Sequence, residues 1–472
     1  MEESIECQLK NALPKSLLPY QVIHLQTIPK ETHPLIQKPT REKQTTVKII
    51  HFITLFHNEI PILAVELYVY LRIFNDGESI DRTIYVSKAD TTGLSSKIKI
   101  KVSAILSIFL KWVITYPITN YISNLKFKKE YIVNLKPHKP FKSPVQRSLH
   151  ILSERYKKDG GDVNYGMPVE QPSKRLTISS EKVGILESQG VVSTRVVLFT
   201  RAEPQYLFPE SSKNPGKHVL TDDQLLKWWL KLLNGCINST FQKISKKSLN
   251  ILNAESRQIS KFFPSNDWTV GDVYSRDDNK GELAVYNIPL LPDDPKGRFL
   301  EHLVVENRIK KVKLRQFWTE LSIRQEFRLG MVVGLIGIQG IAKTTDNNKS
   351  NNDNYILKLD KKKFKKLKEL IAGVDYSDTT CQTQVFKDVI EAMDNLKLDQ
   401  SCILRCLGND SQTKSQPQPQ PLVATPTKSI NIMSVRSKKR KTDQDQDQDH
   451  ESQKPAYTAI NDLTSMIKSR KK

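Results

Sequence analysis

Two aspartates on a proline-bounded loop are the first candidates for chemistry in this 472-residue chain. Asp293 and Asp294 lie between two prolines, and Lys296 and Arg298 follow within four residues. Proline fixes its own φ and restricts the residue before it, so this loop would hold its side chains stiffly. A fixed carboxylate can act as a general base. A solvated acidic turn before a helix N-terminus, which favours negative charge, is the alternative, and the spacing leaves both readings open.

Apolar periodicity predicts the elements that position this loop. A β-prone run at residues 283–286 predicts a strand before it, and helical spacing from about Arg298 predicts a helix behind it. Further strands are predicted over residues 47–55, 60–74, 82–87, 194–200 and 331–338. Further helices are predicted over residues 102–113, 221–233, 314–329 and 361–370. Residues 1–45, rich in proline and threonine, are expected to wrap the surface.

Two local patterns offer further functional residues. Trp228 and Trp229 are adjacent on a predicted helix and diverge by about 100°, so they cannot both face the same core. In a strand, the alternating lysines would share one face of the segment Lys97, Ile98, Lys99, Ile100 and Lys101. That face suits phosphate groups, but it equally suits an exposed sheet edge protected by charge.

The charge balance predicts an anionic partner. The chain carries +22; the tail from Asn409, with 12 basic and 7 acidic residues, contributes +5, which leaves +17 on the body. A nucleic acid, a phosphorylated cofactor, an acidic protein and an anionic membrane surface all fit this excess. No zinc finger, RNP-type aromatic motif or basic zipper is visible in the sequence.

Cysteine usage and hydropathy predict a soluble intracellular protein. The five cysteines are scattered without a CxxC pair, which fits a reducing compartment, and no metal-ligand spacing is present. The N-terminus lacks an apolar signal segment. The most apolar stretch, residues 102–118, is too short and too interrupted to span a bilayer.

Two polar regions are expected to lie outside the folded body of residues 1–408. Residues 122–190 predict a long mobile insertion with one helix near 145–157. Residues 409–472 are low in complexity and predict a disordered tail. The basic clusters at 438–441 and 470–472 are nuclear-import candidates in that tail, and the protein is expected in the nucleus.

The glycine-rich segment at residues 334–345 is not a phosphate-binding loop. Such a loop needs glycine directly before its lysine, whereas Ile341 and Ala342 separate Gly340 from Lys343. Because the glycines lie in an apolar strand pattern, close packing at a strand end is the preferred interpretation.

Four short motifs occur together in a characteristic order. They are VSKADT at residues 86–91; LFTR at 198–201 with QYLFP at 205–209 and SKN at 212–214; KWW at 227–229; and PDDPKGRF at 292–299. In this combination the chain resembles the fungal histone acetyltransferase family known as regulator of Ty transposition. The resemblance runs from about residue 20 to 374, is weak through 122–190 and is absent from the tail.

The resemblance implies an α/β fold: a single domain with a mixed central β-sheet flanked by helices, similar to the CREB-binding-protein acetyltransferase. It implies transfer of acetyl from acetyl-CoA to lysines of histone H3, presented with H4, in the N-terminal helix of its folded region and in its tail. Implied partners are histone chaperones of the nucleosome-assembly and anti-silencing types, in DNA replication and genome stability. Neither a membrane nor sequence-specific nucleic-acid binding is implied.

The resemblance also assigns roles to positions of this chain. Asp294 would be the acid/base residue with Asp293 beside it, Asp90 and Trp229 would lie at the substrate end, and Lys296 would be autoacetylated. The implied cofactor contacts are Ala89, Asp90, Thr91, Lys97, Ile98, Lys99, Ile100, Lys101, Phe199, Glu203, His218, Val219, Leu220, Trp228 and Arg298. Glu203 departs from the family, in which relatives can carry a small apolar residue.

The implied chemistry demands a base. A lysine of pKa ~10.4 costs about 4–5 kcal/mol to deprotonate at neutral pH. Asp293, as a like charge, would favour a protonated Asp294, whereas Lys296 and Arg298 would favour the ionised form, and the sequence does not decide between them. The rival function class is a non-catalytic basic protein that binds chromatin or nucleic acid.

Overall fold

The computed structural model describes residues 3–36, 38, 44–74, 77–94, 99–122, 126–132, 169–177, 180–252, 254–274, 281–324, 332–344 and 351–409. Lys97, Ile98, the helix expected near 145–157 and the tail from residue 410 lie outside these residues. The expected mobile insertion and disordered tail therefore stay predictions.

A mixed β-sheet organises the described residues. Its strands are β1 (Tyr20–Thr27), β2 (Lys30–Thr32), β3 (Gln44–His57), β4 (Ile60–Phe74), β5 (Ser79–Thr91), β6 (Lys126–Ile132), β7 (Val169–Thr177), β8 (Ser193–Thr200), β9 (Phe241–Ile251), β10 (Trp268–Val270), β11 (Gly334–Ala342), β12 (Ile356–Leu359) and β13 (Leu404–Cys406). The main path runs β10-β9-β11-β8-β5-β4-β3-β1-β12. The pairs β5–β8, β1–β12 and β9–β10 are parallel, which makes the sheet mixed, as expected.

Helices cover the sheet. Those with described bounds are α1 (Ile5–Ala12), α2 (Val102–Ile114), α3 (Ile118–Ile122), α4 (Ser180–Ser188), α5 (Asp222–Thr240), α6 (Ser256–Ile259), α7 (Pro295–Val305), α8 (Leu314–Ser322), α9 (Lys361–Ala372) and α10 (Thr379–Asn395). Both faces of the sheet are buried at strand β3. Ile49 and Ile53 belong to the hydrophobic cluster that contains residues of α2 and α5, whereas Phe52 and Phe56 belong to the cluster that contains residues of α9 and α10. The α/β expectation is confirmed.

Two N-terminal expectations are wrong. Within residues 1–45, expected on the surface, every residue of β1 is buried between β3 and β12. Polar residues interrupt the apolar pattern of this strand, and one of them, His24, finds a partner inside the core, because its Nε2 lies 2.8 Å from His51 Nδ1. The described part of the expected lysine strand, residues 99–101, has no strand structure, because α2 begins directly at Val102.

The segments around the acidic loop also differ from expectation. Residues Ala284–Tyr286 form a 3-10 turn instead of a strand, and Leu283 forms an isolated bridge with Lys313. The helix begins at Pro295, not near Arg298, because a proline at the first helical position loses no helical hydrogen bond. Helix α8 ends at Ser322, earlier than the expected 329.

The glycines of β11 pack closely against neighbouring residues, which agrees with the interpretation preferred from the sequence over a phosphate-binding loop. A Cβ on Gly334 would lie 2.5 Å from Leu226 Cδ1, on Gly337 2.6 Å from Val273 Cγ1, and on Gly340 2.2 Å from the carbonyl oxygen of Lys243. Among the described residues, no helix has the length and apolar content to cross a bilayer.

Candidate active site

The acidic loop turns one aspartate outward and the other inward. Asp293 has φ +55° and is exposed, whereas Asp294 is 1% exposed and caps α7. The Asp294 carboxylate accepts a hydrogen bond from the backbone N–H of Lys296 at 3.0 Å, as N-cap residues do. The two neighbouring carboxylates are therefore placed in different environments.

Asp294 and Lys296 form a buried ion pair. Lys296 Nζ donates to Asp294 Oδ1 at 2.8 Å and lies 2.6 Å from Oδ2, and the two side chains are 4% and 0% exposed. The same ammonium lies 5.5 Å from the ring centre of Phe199. Three residues with predicted roles therefore meet at one point.

Asp293 fastens the loop to the sheet. Its Oδ2 lies 3.1 Å from Lys88 Nζ, and Lys88 lies on β5 two residues before Asp90. This pair is half-exposed, so its contribution to stability is small, about 0–1 kcal/mol. Its main effect is to hold the loop across the end of β5.

Lys296 lines a small recess. Aromatic residues Tyr85, Phe199, Tyr274 and Trp318 line it, together with Asp272. Burial raises the pKa of Tyr85 and of Tyr274 well above the usual value, and the charge of Asp294 adds to both shifts. Both tyrosines therefore remain protonated hydrogen-bond donors near Asp294 at neutral pH.

Asp90 is held by donors from a different loop. Its Oδ2 accepts hydrogen bonds from the backbone N–H groups of Tyr206 (2.7 Å), Leu207 (2.9 Å) and Phe208 (3.3 Å). Its Oδ1 accepts from Thr91 N–H and from Lys217 Nζ, both at 2.8 Å. The carboxylate thus ties the 206–208 loop to the end of β5, which favours a positioning role.

The predicted cofactor segment 89–91 ends strand β5, and the turn directly after it is bound to the loop that leads to segment 218–220. Asn214 Nδ2 donates to the carbonyl of Thr92 at 2.8 Å. A Cβ on Gly93, where φ is +76°, would lie 2.5 Å from the backbone nitrogen of Lys217, so this approach requires glycine. His218 and Val219 are exposed beyond this junction, and Leu220 is half-buried.

The tryptophan pair divides as its spacing predicts. Trp229 is 5% exposed in the core, whereas Trp228 is half-buried against the same cluster, with the rings edge-on at 5.1 Å and 81°. Ala89 and Ile100 are also partly buried against this cluster. Lys99 and Lys101 are exposed just before α2.

Two further expected cofactor contacts, Glu203 and Arg298, lie partly or fully exposed to solvent. Glu203 Oε1 pairs with Arg201 Nε at 2.8 Å, which occupies its charge within the protein. Arg298 is exposed on the first turn of α7. The structure thus forms two groups, one at Asp294 and one at Asp90, with β5 running between them.

Sequence reasoning missed several residues of this site. The ion pairs of Lys88 with Asp293 and of Lys217 with Asp90 were not expected, although Lys88 lies inside the VSKADT motif and Lys217 directly precedes the expected contact His218. Tyr85, Tyr274 and Trp318 lie on separate elements, and the sequence carries no signal that brings them together.

Comparisons with known proteins identify the family of this chain. The family described as histone acetyltransferase KAT11-type domain matches residues 5–395. The histone acetyltransferase RTT109 of Candida albicans is 33% identical over 349 residues, covering 73% of this chain and 88% of that protein. The histone acetyltransferase rtt109 of Schizosaccharomyces pombe is 32% identical over 166 residues, covering 33% and 43%.

A solved structure supports the fold. The crystal structure of Rtt109 from Aspergillus fumigatus matches with a TM-score of 0.59 and 21% identity, covering 87% of this chain and all of that one. At this identity the likeness shows the architecture alone. The family match and the Candida relative extend across most of the chain, and the chain belongs to the KAT11-type histone acetyltransferases of the fungal Rtt109 kind.

Proposed function

We propose that this chain transfers acetyl from acetyl-CoA to lysines of histone H3, presented with H4, in the N-terminal helix of its folded region and in its tail. The observation that carries the proposal is the buried Asp294–Lys296 pair opening onto an aromatic recess. A carboxylate that can take a proton next to such a recess is what amine attack on a thioester requires.

The proton has a defined route in this proposal. The neutral substrate amine gives a proton to Asp294 as its nitrogen attacks the thioester carbon; the carbon–sulfur bond then breaks, and Asp294 returns that proton to the departing thiolate, which leaves as the thiol. In this structure the Asp294 carboxylate is paired with the Lys296 ammonium, whose Nζ lies 2.6 Å from Oδ2. Acetylation of Lys296 would remove that positive charge and leave Asp294 as a buried, available base.

The residues fit a CoA-sized ligand in chemistry. Partly buried Ala89, Ile100 and Trp228 supply apolar surface for a pantetheine arm. Exposed Lys99 and Lys101 lie at the N-terminus of α2, where their positive charge favours phosphate. When bound, acetyl-CoA supplies the acetyl group, and these residues orient it.

We extend the proposal to the cellular setting that the resemblance implies. The enzyme would act in the nucleus with histone chaperones of the nucleosome-assembly and anti-silencing types, in replication-coupled chromatin assembly. The basic cluster at residues 438–441 would direct import. A chain truncated at 408 should stay cytoplasmic in a fluorescence assay, and its nuclear accumulation would remove that assignment.

Transfer of radiolabelled acetyl to H3–H4 tests the proposal directly. Asp294→Asn should abolish most of the transfer, and a thermal melt separates this loss from the destabilisation expected when the buried Lys296 ammonium loses its counter-charge. Asp378→Asn is a matched control, because Asp378 is also an N-cap aspartate, on α10, outside the recess. If wild-type protein binds DNA but transfers no acetyl, the rival non-catalytic function is the better description.

A further inference from the structure

A second recess lies beside the Lys296 recess on the sheet. Its charged lining consists of Arg72, Asp81 and Arg195. Tyr274 contributes to the walls of both recesses. The two spaces are thus neighbours that share one aromatic side chain.

Strand geometry places both recesses on one face of the sheet. On β8, Arg195 lines the second recess and Phe199 the first; on β5, Asp81 lines the second and Tyr85 the first. Residues four apart in a strand point to the same side and are separated by about 13 Å. The recesses therefore form one groove that follows parallel strands β5 and β8.

The second recess carries a net positive charge. Asp81 pairs with Arg72, and its Oδ2 lies 3.5 Å from Arg195 Nη1. Two guanidinium groups against one carboxylate leave one positive charge and spare N–H donors. Lys48, whose Nζ lies 5.4 Å from the ring centre of Tyr68 on the neighbouring strand, adds a further cation nearby.

One buried hydroxyl in this recess has no partner among the described residues. Thr46 is 1% exposed, lines the recess, and its Oγ1 makes no hydrogen bond there. An unsatisfied buried hydroxyl destabilises the protein, because its bonds to water are lost without replacement. A ligand oxygen that meets the Thr46 hydroxyl and the arginines would satisfy all of them.

We propose that the Arg72–Arg195 recess is a subsite for a carboxylate side chain of the protein substrate. The inference rests on the proposed function and makes it more specific: the enzyme would prefer an acidic residue near its target lysine. Because an extended chain covers about 3.3 Å per residue, a groove of ~13 Å places that residue about three to five positions from the lysine.

The position of the recess argues against a cofactor phosphate as its ligand. The expected cofactor contacts Ala89 and Phe199 lie near the C-terminal ends of β5 and β8. Asp81 and Arg195 lie near the N-terminal ends of the same strands. Asp81 would also repel a multiply charged phosphate while leaving enough positive charge for one carboxylate.

Binding of H3–H4 to the full chain tests the proposal without requiring catalysis. Arg195→Gln should raise the Kd for H3–H4 about ten-fold, the effect expected for losing a charged hydrogen bond. Arg308→Gln is the matched control, because Arg308 forms surface ion pairs with Glu306 and Glu320 and lines neither recess. An unchanged Kd in Arg195→Gln would overturn the proposal.

Thr46→Val separates an effect on histone binding from an effect on folding. Removing the unpartnered hydroxyl should leave the Tm unchanged or higher and still raise the Kd about three-fold. A higher Tm with an unaltered Kd would show that the hydroxyl meets no ligand. Steady-state kinetics separate the ligand sources, since an increase in the KM for acetyl-CoA instead of histone would assign the recess to the cofactor.

Substrate variants identify the partner residue. Each Asp or Glu of H3 near the acetylated lysine is changed to its amide and paired with Arg195→Gln in a double-mutant cycle. One position should show no further loss in the Arg195→Gln background. Additive losses at every position would contradict the proposal, whereas failure of the proposed function would appear separately as absent acetyl transfer by the wild type.

Discussion

The two buried aspartates of the site, Asp90 and Asp294, have the same kind of lysine partner but opposite surroundings. Asp90 accepts from four backbone N–H groups in addition to Lys217. Asp294 accepts from one backbone N–H in addition to Lys296. Its Oδ2 lies 2.6 Å from the Lys296 ammonium without a well-aligned hydrogen bond.

The difference teaches what each carboxylate is able to do. A carboxylate with every lone pair occupied holds structure, because a proton would displace several hydrogen bonds at once. A carboxylate with one movable cation can exchange it for a proton. Burial and a lysine partner alone do not identify a base; the number of backbone donors separates the two cases.

Asp294→Asn should give the largest effect and tests the comparison most directly. We expect kcat to fall about 10²- to 10⁴-fold, the contribution of a positioned general base. Initial rates with H3–H4 and acetyl-CoA measure this, with a thermal melt to confirm folding. Activity within three-fold of wild type would assign the base elsewhere, even if the enzyme class stands.

Asp90→Asn should act mainly on stability. It leaves the Lys217 ammonium, 4% exposed, without its counter-charge, and breaking a buried pair costs about 3–5 kcal/mol. Urea denaturation measures the free energy of unfolding. Asp90→Asn combined with Lys217→Met should recover part of the loss; a large rate defect with unchanged stability would instead place Asp90 in the chemistry.

Trp228 and Trp229 offer a second comparison of neighbouring residues, in which the two side chains differ in burial. Trp229→Ala should lower the free energy of unfolding by about 3–5 kcal/mol, the usual loss for a buried tryptophan. Trp228→Ala should cost less than half as much, because this ring is only half-buried, and it should raise the KM for acetyl-CoA. Equal destabilisation by both variants would contradict their division of roles.

Lys296→Arg should give the smallest effect. Arginine keeps the positive charge beside Asp294 but cannot be acetylated at that atom, so the rate should fall about three- to ten-fold through loss of the charge-removing step. Mass spectrometry of active wild-type protein should find acetyl-Lys296. Its absence from fully active enzyme would remove the modification from the mechanism.

The sequence predicted those parts of the fold that local patterns determine. Strand β4 has the expected bounds, because its β-branched and aromatic run ends at clear turn residues. Helix α5 begins after Thr221 as expected, with a complete capping box to Gln224. Strand β1 escaped prediction because His24 and other buried polar groups interrupt its apolar pattern.

The roles of the candidate site residues were inferred from the family resemblance, because local sequence patterns do not predict which distant residues contact each other. Asp90 meets Lys217 across 127 positions of sequence, and no local rule brings such residues together. The same holds for Tyr85 on β5 and Tyr274 after β10, which line one recess together with Lys296. Residue roles that depend on distant partners cannot be read from spacing.

The glycines of β11 restrict how this enzyme can diverge. Gly337 lines the reactive recess, and any larger residue there would collide with Val273. Gly334 meets Leu226 of the tryptophan-bearing helix with similarly little space. Natural variants with altered substrate choice should therefore vary at other recess positions such as Trp318, while Gly334 and Gly337 stay glycine.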